Sequence, residues 1–266
     1  MTPPRLVATD LDGTTVRSDY TVSERTVKAF ARVERAGAML VMVTGRPPRW
    51  IHPVASAVGH QGVAICANGA IVYDLHTEQV VGSHLMTAEA LRSAISALTA
   101  SLPGLGFAVE YEDGIQYAHG YELSGWDNAE KDGSIGLEKL MSRPAAKLLA
   151  RHPELDADAL LAEATKLVGD VVLPTHSNGR RLIEMSALGV SKASTLAELC
   201  ERHGIDAADV VAFGDMPNDL PMLMWAGRSY AVANAHPLVL EAVDTKVAGN
   251  DDDGVARTLE ELFPEL

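Results

Sequence analysis

The chain has 266 residues, 47% of them apolar, which is enough for one large domain or for a core that carries an inserted subdomain. With 36 acidic against 22 basic residues the formal charge is −14. So acidic a chain is not expected to bind nucleic acid or anionic membrane surfaces, and it needs local positive charge or a metal wherever it meets a phosphorylated ligand.

Leu6-Val7-Ala8-Thr9 reads as a buried strand closed by the polar stretch Asp10-Leu11-Asp12-Gly13. A helix follows, with Ser23 as N-cap, Val27, Phe30 and Ala31 at helical spacing, and Gly37 as its stop. Met39–Val43 is a second buried strand, closed by Thr44-Gly45-Arg46; Ile51, Val54, Ala55 and Val58 mark a helix stopped at Gly59; and Val63–Cys66 is a third strand. This alternation predicts an α/β fold with a parallel sheet covered on both faces. Near Ser83 the pattern changes. Thr87 caps a helix bearing Leu91, Ile95 and Leu98, and Phe107–Tyr111 with Ile115–Ala118 form a hairpin through Glu112-Asp113-Gly114. Residues 120–136 read as loop, and Lys147–Ala150, a helix near Asp156–Val168, and the runs Val171–Thr175 and Arg181–Met185 complete an α+β unit. The expected division is therefore a core of residues 1–83 and 187–266 and an inserted domain of residues 84–186.

After Ser186 the α/β pattern returns. It comprises a helix with Lys192, Leu196 and Leu199, a strand Val210–Phe213 ending in Gly214-Asp215, a helix near Asn218, strands at Tyr230–Val232 and Lys246–Ala248, a helix at Pro237–Val243 and a terminal helix. The acidic run Asp251-Asp252-Asp253 reads as a solvated loop or helix N-terminus. The two cysteines, Cys66 and Cys200, have no ligand spacing and read as buried thiols of a reduced compartment. No apolar run approaches the roughly 18–20 residues of a membrane helix, and the start of the chain lacks a signal peptide's apolar stretch. The expectation is a soluble, cytoplasmic protein.

In a parallel α/β sheet ligands bind beyond the carboxyl ends of the strands. Strand ends here bring Asp10 and Asp12, Thr44 and Asp215 to that edge, and Lys192 reaches it from the start of its helix. Crowded carboxylates repel one another unless a cation lies among them, and oxygen ligands suit Mg²⁺; Asp10 and Asp215 are its obvious side-chain ligands. Lys192 adds a point charge beside the phosphate. Asp10 is read as a nucleophile that attacks phosphorus. Asp12 is read as the acid that protonates the leaving alkoxide and then the base that activates water. Thr44 and neighbouring backbone N–H groups, Gly45 among them, are read as holding the phosphoryl oxygens.

Asp10-Leu11-Asp12-Gly13-Thr14, Thr44-Gly45-Arg46, Lys192 and Gly214-Asp215-Met216-Pro217-Asn218-Asp219 resemble, in order and spacing, the four motifs of the haloacid dehalogenase superfamily of phosphohydrolases. The large insertion between the second and third motifs is similar to the α/β (C2-type) cap of its Cof-type, IIB subgroup, as are Ala67-Asn68-Gly69-Ala70 and Asn250-Asp251-Asp252-Asp253-Gly254. The resemblance implies a Rossmann-like core, Mg²⁺ dependence and action on sugar phosphates or related small phosphomonoesters. It also implies that the backbone carbonyl of Asp12 completes the metal site and that Asn218 and Asp219 support the metal, directly or through water. Asn68 becomes a substrate-binding position at the rim. Ala193 departs from the glycine usual after the motif lysine, which puts the packing there in question. The second aspartate of the first motif is present, which disfavours dehalogenation.

Other readings stay open beside these. Asp219 serves equally as a helix cap, and Arg46 as a phosphate ligand or an exposed surface arginine. Trp50, Trp126 and Trp225 read as packing, His119 and His176 as solvated surface, and Ser177-Asn178-Gly179-Arg180 as a possible contact for the non-phosphate part of a substrate. The expected partner is a small phosphorylated metabolite, bound by a monomer or homodimer. A phosphomutase would use the same motifs but yield isomerised sugar phosphate instead of free phosphate, and a non-catalytic phospho-ligand-binding module would bind without turnover.

Overall fold

Apolar runs too short for a helix alternate with capped amphipathic segments, and this grammar governs the architecture of the computed structural model, which describes residues 3–60, 62–123, 133–177 and 181–265. The chain divides into two compact units, Met1–Gly82 with Lys192–Leu266, and Ser83–Ser191. The first part of the chain comprises β1 (Leu6–Thr9), α1 (Glu24–Arg35), β2 (Met39–Val43), α2 (His52–Val58), β3 (Val63–Cys66), β4 (Ile71–Asp74) and β5 (Gln79–Ser83). The inserted part comprises α3 (Ala88–Ser101), β6 (Gly106–Tyr111), β7 (Gly114–Tyr117), α4 (Leu137–Leu140), β8 (Lys147–Arg151), α5 (Ala157–Val168), β9 (Val172–Thr175) and β10 (Leu182–Ala187). The chain then returns through α6 (Lys192–Arg202), β11 (Val210–Gly214), α7 (Leu220–Trp225), β12 (Arg228–Val232), α8 (Pro237–Ala242), β13 (Lys246–Val247) and α9 (Gly254–Leu262).

The first unit is built on an eight-stranded sheet in the order β13-β12-β11-β1-β2-β3-β4-β5. From β13 to β3 all neighbours run parallel. β1 is wholly buried, as expected of a strand with helices on both faces. Helix α1 starts where the Ser23 side chain accepts from the Thr26 N–H, and it buries Thr26, Ala29, Phe30 and Val33 along one stripe. Thr9 lies in register with Phe213 on one side and Met42 on the other. The residues that follow these three strands therefore emerge together at one end of the sheet.

The parallel sheet expected from sequence is present and is extended at one edge by strands the sequence reading did not include. β4 pairs antiparallel with β3, and β5 lies beyond it. The run Ile71-Val72-Tyr73 is too short to stand out as a strand from its pattern. The chain reverses between β3 and β4 in the short turn Ala67–Gly69, and an Asx-type turn, in which Asp74 Oδ1 accepts from the N–H groups of His76 and Thr77, follows β4 on the way to β5.

The second unit is a five-stranded antiparallel sheet in the order β7-β6-β8-β10-β9. One face packs Phe107, Val109, Leu148, Ala150, Ile183 and Met185 against the apolar stripes of α3 and α5. Thr87 and Asp156 cap those helices with their side chains. The opposite face carries an apolar cluster of Ala108, Tyr117, Tyr121, Leu149 and Leu182, and a buried Lys147–Glu184 ion pair at 2.8 Å. His176 is fully buried beside Asp158, with Nε2 2.9 Å from Oδ1, and is not the solvated histidine its sequence context suggests. The short helix α4 was also not legible in its polar, glycine-flanked surroundings. Trp126 and Asn178–Arg180 lie outside the described residues.

Candidate active site

Asp10 directly follows β1, and its N–H donates to the carbonyl of Phe213 on the neighbouring β11 at 3.0 Å. The hydroxyls of Thr9 and Thr15 both donate to its carbonyl. The next residues turn back sharply, with the N–H groups of Thr14, Thr15 and Val16 all directed to the carbonyl of Leu11. Gly13 takes φ +81°, a backbone conformation that L side chains rarely adopt. Its Cα passes so near Asp215 that an added Cβ would lie 2.4 Å from Oδ2. Thr14 then donates its hydroxyl to Asp215 Oδ1 at 2.7 Å.

Lys192, the first residue of α6, is completely buried and donates to two carboxylates, Asp10 Oδ1 at 2.6 Å and Asp219 Oδ1 at 2.5 Å. The other oxygen of Asp219 accepts from the backbone N–H groups of Asp215 and Met216, each at 3.0 Å. Asp219 therefore caps its own turn and braces the lysine at the same time.

From β2, Thr44 is buried, and its hydroxyl oxygen accepts from the Arg46 N–H at 3.1 Å. The Arg46 guanidinium grips Asp12 as a fork, Nε to Oδ2 at 2.7 Å and Nη2 to Oδ1 at 2.5 Å, while Nη1 donates to the carbonyl of Trp50. Arg46 is thus mostly buried and committed to Asp12, whose own side chain remains half-exposed. Asn68 is not at an exposed rim: it is 3% exposed, and its Oδ1 accepts from Asn218 Nδ2 at 3.1 Å.

Stretches 180 residues and more apart in sequence thus meet at the end of one sheet, with an ammonium between two aspartates and a third aspartate beside them. The sequence profile of haloacid dehalogenase-like hydrolases matches residues 7–259. The chain belongs to that family. Among curated haloacid dehalogenase relatives, it is 26% identical to the 5-amino-6-(5-phospho-D-ribitylamino)uracil phosphatase YitU of Bacillus subtilis, over 98% of both chains. It is 27% identical to the pyridoxal phosphate phosphatase YbhA of Escherichia coli, over 95% of this chain and 96% of that one. A solved subclass IIB sugar phosphatase superposes with a TM-score of 0.82 at 19% identity, over 97% of this chain and 98% of the other. The chain is an enzyme of the phosphatase branch of the haloacid dehalogenase-like hydrolases.

The electrostatics of this site call for a cation. Asp10, Asp215 and Asp219 each offer a carboxylate oxygen, all within 4.8 Å of one another, and all three are buried. Against them stands one ammonium, so with all three carboxylates ionised the cluster would carry an excess of two negative charges. Burial, with repulsion from Asp219 and Asp12, pushes the Asp10 carboxyl up to about 7 despite the opposing pull of Lys192. Burial together with Asp10 and Asp219 raises Asp215 well above the ordinary carboxylate range. Burial opposes the charge on Lys192, but Asp10 and Asp219 outweigh it, and the lysine holds its proton more tightly than usual. An all-oxygen donor set with two surplus negative charges fits a hard divalent cation such as Mg²⁺.

Several positions that brace this cluster were either not singled out from sequence (Thr15, Thr195, Asn234) or entered only as members of quoted motifs (Thr14, Asn250). Thr14, Thr15 and Thr195 are buried hydroxyls with partners in or next to the site. Asn234 donates to the carbonyl of Gly13 at 2.7 Å and accepts from the Asn250 N–H, and Asn250 donates to the carbonyl of Val16. The acidic run after Asn250 is only partly a solvated loop. Asp251 accepts from both the N–H and the hydroxyl of Ser18, and Asp253 pairs with Arg17 at 2.8 Å, so the run clamps the segment that follows the Asp10 motif. For Thr15, Thr195 and Asn234 the signal was only their type, since Asn and Thr are common in any turn.

Proposed function

We propose that the protein hydrolyses small phosphomonoesters, sugar phosphates or related metabolites, through a phospho-aspartate formed on Asp10 with Mg²⁺ bound. The observation that carries this reading is the bridge of Lys192 between Asp10 and Asp219 beside Asp215. A purely structural role does not explain why a chain would bury three carboxylates and one lysine together at the strand ends.

Asp10 and Asp215 would hold the cation, with Asn218 supporting it and the carbonyl of Asp12 completing the set. When bound there it would offset negative charge on the carboxylates and on the substrate phosphate, which would keep Asp10 ionised for attack. Lys192 occupies Asp10 Oδ1, which leaves Oδ2 to attack phosphorus. The bond from phosphorus to the ester oxygen breaks as the bond to Asp10 forms, and Asp12 gives its proton to the departing alkoxide. Ionised Asp12 then takes a proton from water, the hydroxide attacks phosphorus, and inorganic phosphate leaves with Asp10 regenerated.

In the structure both Asp12 oxygens accept from Arg46, and a carboxylate held in this way has no proton to give. The pair is therefore the resting arrangement, and the acid step requires Asp12 to turn away from Arg46 with a proton. The Thr44 hydroxyl accepts from the Arg46 N–H, which leaves its proton for a phosphoryl oxygen, alongside the N–H groups of Gly45 and its neighbours. Lys192 neutralises and positions the phosphate. The inserted domain supplies selectivity for the organic part of the substrate. Two relatives are named for action on a phosphorylated ribityl pyrimidine and on pyridoxal phosphate, which supports including phosphorylated cofactors and their precursors in a screening panel beside sugar phosphates.

The test is release of phosphate from such a panel with and without Mg²⁺. Wild type should turn over at least one metabolite only with the cation, and Asp10→Asn should be inactive in a contaminant-free preparation. Wild-type turnover by Asp10→Asn would overturn the mechanism.

A further inference from the structure

Three consecutive residues after β3 leave the right-handed part of backbone space: Ala67 at φ 51°, Asn68 at 58° and Gly69 at 106°. Only the last is glycine, so two L side chains are held in a strained conformation. Such strain persists only where the surroundings over-determine it, and here they do. The Ala67 N–H donates to the carbonyl of Arg46 at 2.9 Å, and the Asn68 N–H to the carbonyl of Thr44 at 3.1 Å. Thr195, one turn after Lys192 on α6, donates its hydroxyl to the carbonyl of Gly69 at 2.7 Å. The turn is thus tied to the loop after β2 and to the helix that carries the site lysine.

A fourth tie reaches Asn218, in the short helical turn Pro217–Asp219 between two of the site's aspartates. Asn218 Nδ2 donates to Asn68 Oδ1 at 3.1 Å. The other end of the same carboxamide, Asn218 Oδ1, is buried and has no hydrogen-bond partner among the described residues. An unsatisfied buried acceptor is costly and calls for an explanation. A carboxamide donates at one end and accepts at the other. While Asn68 accepts from the Nδ2 end, the oxygen must face away from Asn68. Mg²⁺ keeps several waters when it binds to proteins, and those waters are donors. A flipped carboxamide would offer them N–H groups instead of an acceptor.

We propose that Asn68 is a positioning residue: from its strained left-handed seat it fixes which way round the Asn218 carboxamide faces, so that Asn218 Oδ1 accepts from a water on the bound cation. This rests on the cation reading given above. It turns a position that sequence alone assigns to the substrate into one that acts on the metal shell.

The experiment is a Mg²⁺ titration of the full-length protein, followed by calorimetry and by the cation-dependent rise in Tm, in four forms: wild type, Asn68→Gly, Asn218→Ala and the double variant. Glycine tolerates the left-handed backbone, so Asn68→Gly should unfold at or above the wild-type temperature in chelator. It should still bind Mg²⁺ about three- to tenfold more weakly, the range set by one lost hydrogen bond. Asn218→Ala should weaken binding by a similar factor, and the double variant should be no weaker than Asn218→Ala, because the two changes remove one interaction. Asn68→Ala, which keeps the strain but loses the carboxamide, should melt below Asn68→Gly with the same Mg²⁺ affinity. Wild-type affinity in Asn68→Gly, or single effects that multiply in the double variant, would overturn the proposal while leaving the cation site standing. Failure of the wild type itself to bind Mg²⁺ would overturn both.

Discussion

Gly13 is the position where a single methyl group probes the whole site. An alanine there has to keep φ near +81°, which costs about 1–2 kcal/mol for an L residue. Its Cβ would also stand 2.4 Å from Asp215 Oδ2 and 3.1 Å from Cγ. The carboxylate would have to swing away by roughly 1 Å to restore ordinary contact. The 2.7 Å hydrogen bond from Thr14 to Asp215 Oδ1 would be lost with it, at about 1 kcal/mol. The expected loss for Gly13→Ala is therefore about 2–3 kcal/mol, or a fall in Tm on the order of 5–10 °C. Asp215 would also be displaced relative to Asp10, so Mg²⁺ binding should weaken at least about tenfold and phosphate release should fall with it. Thermal unfolding with and without Mg²⁺ and a calorimetric Mg²⁺ titration measure both effects. A Gly13→Ala protein with wild-type Mg²⁺ affinity would show that the placement of Asp215 against the Asp10 loop has no bearing on the cation.

The remaining predictions concern charge and protons. Lys192→Met removes the ammonium that bridges Asp10 and Asp219 and should cost about 3–5 kcal/mol in denaturant unfolding, with loss of turnover; unchanged stability would mean that the lysine does not offset those carboxylates. Asp12→Ala should slow hydrolysis of an alkyl phosphate by about 10²–10⁴-fold but that of an aryl phosphate, whose leaving group needs no proton, far less; equal losses on the two substrates would remove the acid role. In chelator, pH should act through Asp10, whose carboxyl is raised from 3.8 to about 7 in the folded state. The stability contributed by its neutral form is fully present below the unfolded value and lost as pH rises through about 7, so Tm should fall between weakly acidic and weakly alkaline buffer. Mg²⁺ should remove that fall, and a cation-free Tm that rises over the same range would contradict the charge assignment.

What the sequence revealed, and what it hid, follows from the reach of each signal. Leu6–Thr9, Met39–Val43 and Val63–Cys66 were legible as strands because uninterrupted apolar runs of four or five residues between turn signals have few other uses. Ser23 and Thr87 announced helix starts because their side chains satisfy otherwise unpaired N–H groups. Asp10, Asp215 and Lys192 were readable as one cluster because parallel strands deliver their following residues to a common end. Partnership was not readable. Nothing in the type of Arg46 says that it holds Asp12 rather than phosphate, and nothing in Asn68 says that it faces Asn218. Those pairings depend on loop conformations, including two left-handed non-glycine residues, that no local propensity favours. Likewise β4 was missed because three apolar residues carry too little periodicity, and the acidic run at 251–253 because charge alone does not reveal Ser18 and Arg17 waiting across the fold.

The central claim is that phosphorus passes through Asp10. Rapid quenching of Asp12→Ala with Mg²⁺ and a turned-over substrate, followed by peptide mass spectrometry, measures this directly. One phosphoryl group should appear on the peptide that contains Asp10, and it should be absent from Asp10→Asn treated in the same way. Phosphate release at the wild-type rate with no phosphoryl group on that peptide, or with the group on another residue, would contradict the mechanism.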